Sequence, residues 1–184
     1  MTTAKLFEPQ TIESAPEGAR ETLQSVQKAY GFVPNLLGTM ANSPSTLKAY
    51  VGLDSAFNEN TLSPVERQVV LLAASAENDC GYCQAAHATV LKHMLKVPSE
   101  AVDSIRDGAD VNDSRLAALA DFTREVVRER GHVPPAKVDA FLSAGFSLPQ
   151  VMEVVTGVAM KTLSNYLDHL SPVEVDGGFA GEAR

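Results

Sequence analysis

Cys80, Cys83 and His87 are the residues of this chain whose types and spacing suit chemistry best. The chain has two cysteines, both in the segment Cys80-Gly81-Tyr82-Cys83, and His87 follows a turn later. Two thiols three residues apart on a helix approach disulfide geometry with little backbone movement, so the pair can cycle between dithiol and disulfide. At a helix start, unsatisfied backbone N–H groups favour a thiolate at Cys80. His87 stands four residues after Cys83, which lets its imidazole reach that sulfur. A base can remove a thiol proton and later return one to a leaving oxygen, and a helix dipole cannot. Attack is therefore assigned to Cys83 and the closing of the disulfide to Cys80.

Two other readings of the same residues stand beside this one. Free cysteine is among the most buried residue types, so both thiols could simply be core. Zinc could take Cys80, Cys83 and His87 with a water in the fourth position. Structural zinc normally wants four protein ligands, and His93, His132 or His169 would have to supply the last. Covalent haem attachment does not fit, because Gln84 rather than histidine follows Cys83.

The elements that must position these residues read as helices. Apolar residues at helical spacing run from Ala19 through Leu23 and Val26 to Tyr30, where Gly31 breaks the pattern before a loop at Val33-Pro34. Ser43-Pro44 and Ser63-Pro64 open two further helices, the second with Glu66 completing a capping box. Asp79 is the expected N-cap of a helix continuing to Lys96, with Cys80, Cys83, His87, Val90, Leu91 and Met94 on one stripe. Further helices are expected from Ser99 to Ile105, from Asp113 or Ser114 to Gly131, and from Pro135 to Ala144. A last long one opens at Ser147-Leu148-Pro149. No run of period-two alternation bounded by hairpin turns is present, which predicts an all-α, antiparallel helical bundle. One domain spanning 1–184 is expected, with about 15 N-terminal and about 12 C-terminal residues peripheral or mobile.

Composition excludes several function classes. Lys and Arg number 15 against 23 Asp and Glu, a net charge of −8 with scattered basic residues, which disfavours nucleic acid and anionic lipid as partners. Residues 1–10 contain no apolar core of a secretory signal, and the longest apolar run, 69–74, is too short to span a bilayer, so a cytoplasmic location is expected. In a reducing compartment a close cysteine pair more often means redox chemistry or metal than a structural staple. The apolar stripes exceed what one helical layer buries, which suits a homo-oligomer.

The stretch Leu62-Ser63-Pro64-Val65-Glu66-Arg67-Gln68-Val69-Val70, continued by Glu77-Asn78-Asp79-Cys80-Gly81-Tyr82-Cys83-Gln84-Ala85-Ala86-His87, resembles the redox signature of AhpD-like alkylhydroperoxidases in the carboxymuconolactone decarboxylase superfamily. The likeness extends to Val33-Pro34-Asn35-Leu36 and to residues 161–169. It implies an AhpD-like helical bundle assembled as a homotrimer or hexamer, and a peroxidase cycle with no bound cofactor or metal. In that cycle Cys83 is peroxidatic, Cys80 resolving and His87 the general base, and an external dithiol such as dihydrolipoamide on a lipoyl protein re-reduces the disulfide. The family's relay glutamate falls on Gln68, which cannot take up a proton. Glu77 is the favoured substitute and Glu66 the second, although each also reads as a helix-end residue. Tyr82 would shape access to the hydroperoxide or simply pack. Asn165 and His169, four residues apart, could line the same pocket. Rival functions are a lactone decarboxylase that dispenses with the cysteines and a zinc-binding or redox-switched scaffold.

Overall fold

Ser43 and Ser63 each turn a side-chain oxygen back onto the third backbone N–H of the helix they open, and Pro44 and Pro64 fix the first helical residue. These signals set the starts of α3 (Pro44–Asn58) and α4 (Pro64–Glu77), preceded by α1 (Glu17–Tyr30) and α2 (Asn35–Met40). The remaining helices are α5 (Gly81–Thr89), α6 (Ser99–Asp107), α7 (Ser114–Arg128), α8 (Pro135–Ser143) and α9 (Leu148–Leu170). The computed structural model describes residues 5–184, and no strand occurs among them.

Helix α4 is the hub, packed against α5, α6, α7 and α9. Its face of Val69, Val70, Leu72 and Ala73 is buried outright, in a core shared with Phe57, Leu119, Phe122 and Phe141. Gly157 lets α9 approach α4 closely: a Cβ there would lie 2.7 Å from a Val70 methyl and 2.8 Å from the Phe57 ring. A second core gathers Ala19, Leu23, Val26, Leu37 and Leu47 of α1–α3 around Tyr82 and the two cysteines.

Four expectations are corrected. The loop after Gly31 contains the six-residue α2, too short to show helical periodicity but with Leu36, Leu37 and Met40 buried. The helix expected to run from Asp79 to Lys96 is capped by Cys80 and changes at Val90–Met94 into a π-helical turn. The wider turn shifts the stripe, so Leu91 is buried while Met94 is 71% exposed. The C-terminal tail, expected to be peripheral or mobile, packs Val173, Val175 and Phe179 onto the second core. Its end is held by Glu182 against Lys92 at 2.7 Å and by the Glu182 carbonyl, which accepts from Arg106 at 2.8 Å.

Candidate thiol active site

The end of α4 delivers the first cysteine. Asp79 adopts a left-handed conformation, with φ of 58°. Its N–H donates to the Ala76 carbonyl at 3.0 Å, and the Cys80 N–H donates to the Ser75 carbonyl at 2.9 Å. This pair of bonds is a Schellman stop, with aspartate where glycine is usual. The chain leaves the stop directly into α5, so Cys80 is the helix N-cap rather than a residue of its first turn. Its sulfur accepts the Cys83 N–H at 3.3 Å, a sulfur standing where an N-cap oxygen would serve.

Both thiols are buried, at 0% and 1% exposure, and neither is in a disulfide. The Cys80 thiol donates to Asp168 Oδ2 at 3.4 Å. Cys83 lies 4.0 Å from the Ser164 hydroxyl, and Lys161 and Asn165 of the same helix act on it electrostatically. Burial on its own would raise the Cys83 thiol, but the hydrogen bond from Cys80 and the Lys161 charge outweigh it and lower it to about 6. Cys80 moves the other way: its bond to Cys83, burial and the charge on Cys83 push it far above the usual thiol range. Of the two sulfurs, Cys83 is the thiolate. The dipole argument for Cys80 is overridden by the hydrogen bond from Cys80 and the buried Lys161 charge, both of which favour the thiolate at Cys83.

All four polar partners come from α9. Lys161, Ser164, Asn165 and Asp168 are buried, at 1%, 0%, 0% and 8% exposure, and their spacing of three, one and three residues puts them on one helical face. Asn165 is aimed by its neighbours: its Oδ1 accepts from Asn78 at 3.0 Å, and its Nδ2 faces Ser75 Oγ at 3.5 Å. Lys161, Ser164 and Asp168 were not singled out from sequence. Their signal was available, because the polar run continues the core-facing line of Val154 and Gly157.

His87 behaves differently from the expectation. Its Nδ1 pairs with Gln68 Oε1 at 2.9 Å, and its Nε2 is buried with no hydrogen-bond partner among the described residues. The direct bond to Cys83 is therefore not made. Since Gln68 presents its oxygen, Nδ1 carries the proton and donates, and Nε2 keeps the lone pair. Burial and the Lys161 charge push His87 well below its usual value, so the ring is neutral. Gln68 cannot relay a proton, but it sets the tautomer that leaves the lone pair on Nε2.

The remaining expected site residues divide. Tyr82 covers the pair, its hydroxyl donating to Asp176 Oδ2 at 2.5 Å while its ring meets Phe179 edge-on at 6.2 Å between centroids. Asp176 also accepts the Asn35 N–H at 3.2 Å, so tail, α2 and α5 meet over the thiols. Glu66 closes the α4 capping box and pairs with Arg115 at 2.7 Å. Glu77 pairs with Arg128 at 3.1 Å. Both carboxylates are thus engaged by arginines, and the carboxylate beside the sulfurs is Asp168. His169 is exposed and stacks on Tyr166 rather than joining Asn165. Tyr30, Tyr50, Val51 and Asp54 line a cleft of ≈ 230 Å³ between α1 and α3. Among the described residues no three His, Cys, Asp or Glu side chains are grouped to hold a metal ion, and no single helix is long and apolar enough to cross a membrane.

The Carboxymuconolactone decarboxylase family model matches residues 44–125, the segment from α3 through most of α7. An uncharacterized peroxidase-related protein from Ralstonia eutropha JMP134, described as an alkylhydroperoxidase AhpD core, shares 26% identity with a TM-score of 0.82, over 94% of this chain and 93% of its own. A peroxidase-related protein from Silicibacter sp. TM1040 is 20% identical with a TM-score of 0.79, and all of both chains is covered. The debrominase Bmp8, solved as a variant with 2,3,4-tribromopyrrole, is 16% identical with a TM-score of 0.79, over 99% of this chain and 97% of its own. The last two likenesses are likenesses of fold. No curated protein matches significantly. The matched family segment carries the thiol pair, and the chain as a whole is similar to the AhpD-like, peroxidase-related structure.

Proposed function

We propose that this protein is a thiol-dependent hydroperoxidase or disulfide reductase, in which, as a peroxidase, Cys83 attacks an alkyl hydroperoxide and Cys80 closes the disulfide. The observation that supports this most directly is the asymmetry of the pair: one buried thiol lowered to about 6 and held against a second that keeps its proton. The thiolate is the nucleophile, and the protonated neighbour waits for the sulfenic acid. His87, four residues after Cys83 and neutral with the lone pair on Nε2, is the general base of this reading, a transient acceptor for the Cys83 proton when the pair is regenerated. Tyr82 and Asn165 border the sulfurs.

A dithiol, of the dihydrolipoamide type on a lipoyl protein, is the proposed reductant, since the cycle needs two electrons and the chain's own thiols supply them only once. The outer face of α9 exposes Leu148, Met152, Val155, Tyr166 and Leu170, a stripe suited to contact between copies in a homotrimer or hexamer. A cytoplasmic setting goes with two buried free thiols.

The test is a single turnover. Reduced protein mixed with one equivalent of cumene hydroperoxide is expected to lose both thiols, and Cys83→Ser to lose none. A wild type that keeps both thiols, or a Cys83→Ser protein oxidised at the wild-type rate, overturns the reading.

A further inference from the structure

We propose that the buried face of α9 handles the protons of this thiol pair: Lys161 is the counter-ion that holds Cys83 as a thiolate, and Asp168 is the base that takes the Cys80 proton as that sulfur closes the disulfide. The inference rests on the preceding reading for its peroxide step and on geometry for its residue roles.

Lys161 is 1% exposed, and a buried ammonium persists only beside negative charge. It lies on α9 in line with Ser164 and Asp168, which meet the two sulfurs at 4.0 and 3.4 Å, and the charge on Cys83 helps raise its proton affinity above the ordinary lysine range against the cost of burial. Asp168 Oδ2 accepts from the Cys80 thiol at 3.4 Å, and its Oδ1 accepts the Val173 N–H at 3.2 Å. That second bond stops the carboxylate from rotating off the sulfur. The groups facing the pair are Tyr50 and Asp54 from α3, Tyr82 and His87 from α5, and Lys161 and Asp168 from α9. From the tail, Asp176 faces it through Tyr82. Among them Asp168 is the carboxylate in contact with a sulfur.

The steps balance. The Cys83 thiolate attacks the terminal oxygen of ROOH, the O–O bond breaks, and RO⁻ takes a proton from solvent to leave as ROH. The Cys80 sulfur then attacks the sulfenic sulfur while its proton passes to Asp168, and the departing hydroxide recovers that proton as water. A dithiol returns two electrons, restoring the Cys80 thiol and the Cys83 thiolate and releasing one proton.

Two measurements that need no hydroperoxide test the roles. The iodoacetamide alkylation rate followed against pH is expected to show a midpoint near 6 in the wild type. Lys161→Met is expected to move it to about 8 or higher, near a free thiol, and Lys161→Arg to restore it. Disulfide closure driven by diamide is expected to slow in Asp168→Asn by on the order of a hundredfold, with a mixed adduct accumulating at Cys83. Asparagine keeps the acceptor for Val173, and Asp168→Ser provides a second variant. An unmoved midpoint in Lys161→Met, or closure in both Asp168 variants within threefold of wild type, overturns the proposal. A wild type inert to cumene hydroperoxide would instead overturn the peroxidase reading, and the alkylation and diamide results would still judge α9.

Discussion

Removing one hydroxyl should open the site. The Tyr82 hydroxyl donates to Asp176 at 2.5 Å and binds the tail to α5 directly over the cysteines. In Tyr82→Phe the ring still packs against Phe179, so the loss is confined to one hydrogen bond to a carboxylate. Such bonds contribute about 1.5–3 kcal/mol. Asp176 retains the Asn35 N–H at 3.2 Å, which places the effect at the lower end, about 1.5 kcal/mol, or roughly tenfold in the equilibrium for tail opening. Since Cys80 and Cys83 are 0% and 1% exposed, a bulky aromatic disulfide reagent reaches them only through an opened state. When reclosing is fast, its labelling rate then tracks the open population. Labelling of the reduced protein at pH 7.5 is therefore expected to be about tenfold faster in Tyr82→Phe, with equal rates for both proteins in denaturant. The alkylation midpoint near 6 should not move, which separates access from thiolate content. Native labelling rates within twofold of each other would refute the argument that the tail covers the thiols.

Other perturbations probe the framework. Burial holds His87 well below its usual 6.5, so the unfolded chain binds its proton more readily; the stability this group contributes is full above about 6.5 and declines as pH falls. Thermal melts between pH 5 and 8 should show a shallower acid slope in His87→Gln than in wild type, and parallel slopes would contradict the neutral ring. Gly157→Ala inserts a methyl 2.7 Å from Val70, and overpacking of this kind costs about 1–3 kcal/mol; a melting temperature at or above wild type would contradict the close approach of α9 to α4. Asp79 at φ 58° tolerates the left-handed region as valine does not, so Asp79→Val should lose about 1–2 kcal/mol in urea unfolding. An unchanged urea midpoint would count against the Schellman stop.

Local signals carried the helices and not the contacts between them. Ser43-Pro44, Ser63 with Glu66, Asp113, and Ser147-Leu148-Pro149 each announce a helix start within a few residues, and the structure has helices at all four. Cys80 and Cys83 are legible for the same reason, being a short motif. Lys161 and Asp168 are about 80 residues further along, and no local rule says which sulfur they meet. Reading a polar stripe on α9 as core-facing requires knowing that α4 and α5 lie against it. The π-helical turn at Val90–Met94 and the docking of Asp176 on Tyr82 are likewise set by tertiary packing. Glu77 drew attention because it adjoins Cys80 in sequence, but its side chain leaves toward Arg128 on α7, since residues a few positions apart at a helix end point in different directions.

Lysine at position 161 also has an electrochemical meaning. Whatever stabilises the thiolate stabilises the reduced protein and leaves the disulfide untouched. Lowering Cys83 to about 6 favours the reduced form at pH 7 and so makes the potential of the couple more positive. The N-cap bond from Cys83 to the Cys80 sulfur adds in the same sense, because that sulfur caps α5 best when it is not tied into a disulfide. In the proposed cycle the disulfide would therefore sit uphill of that of an unassisted dithiol pair, and a weaker dithiol reductant would suffice to drive it back.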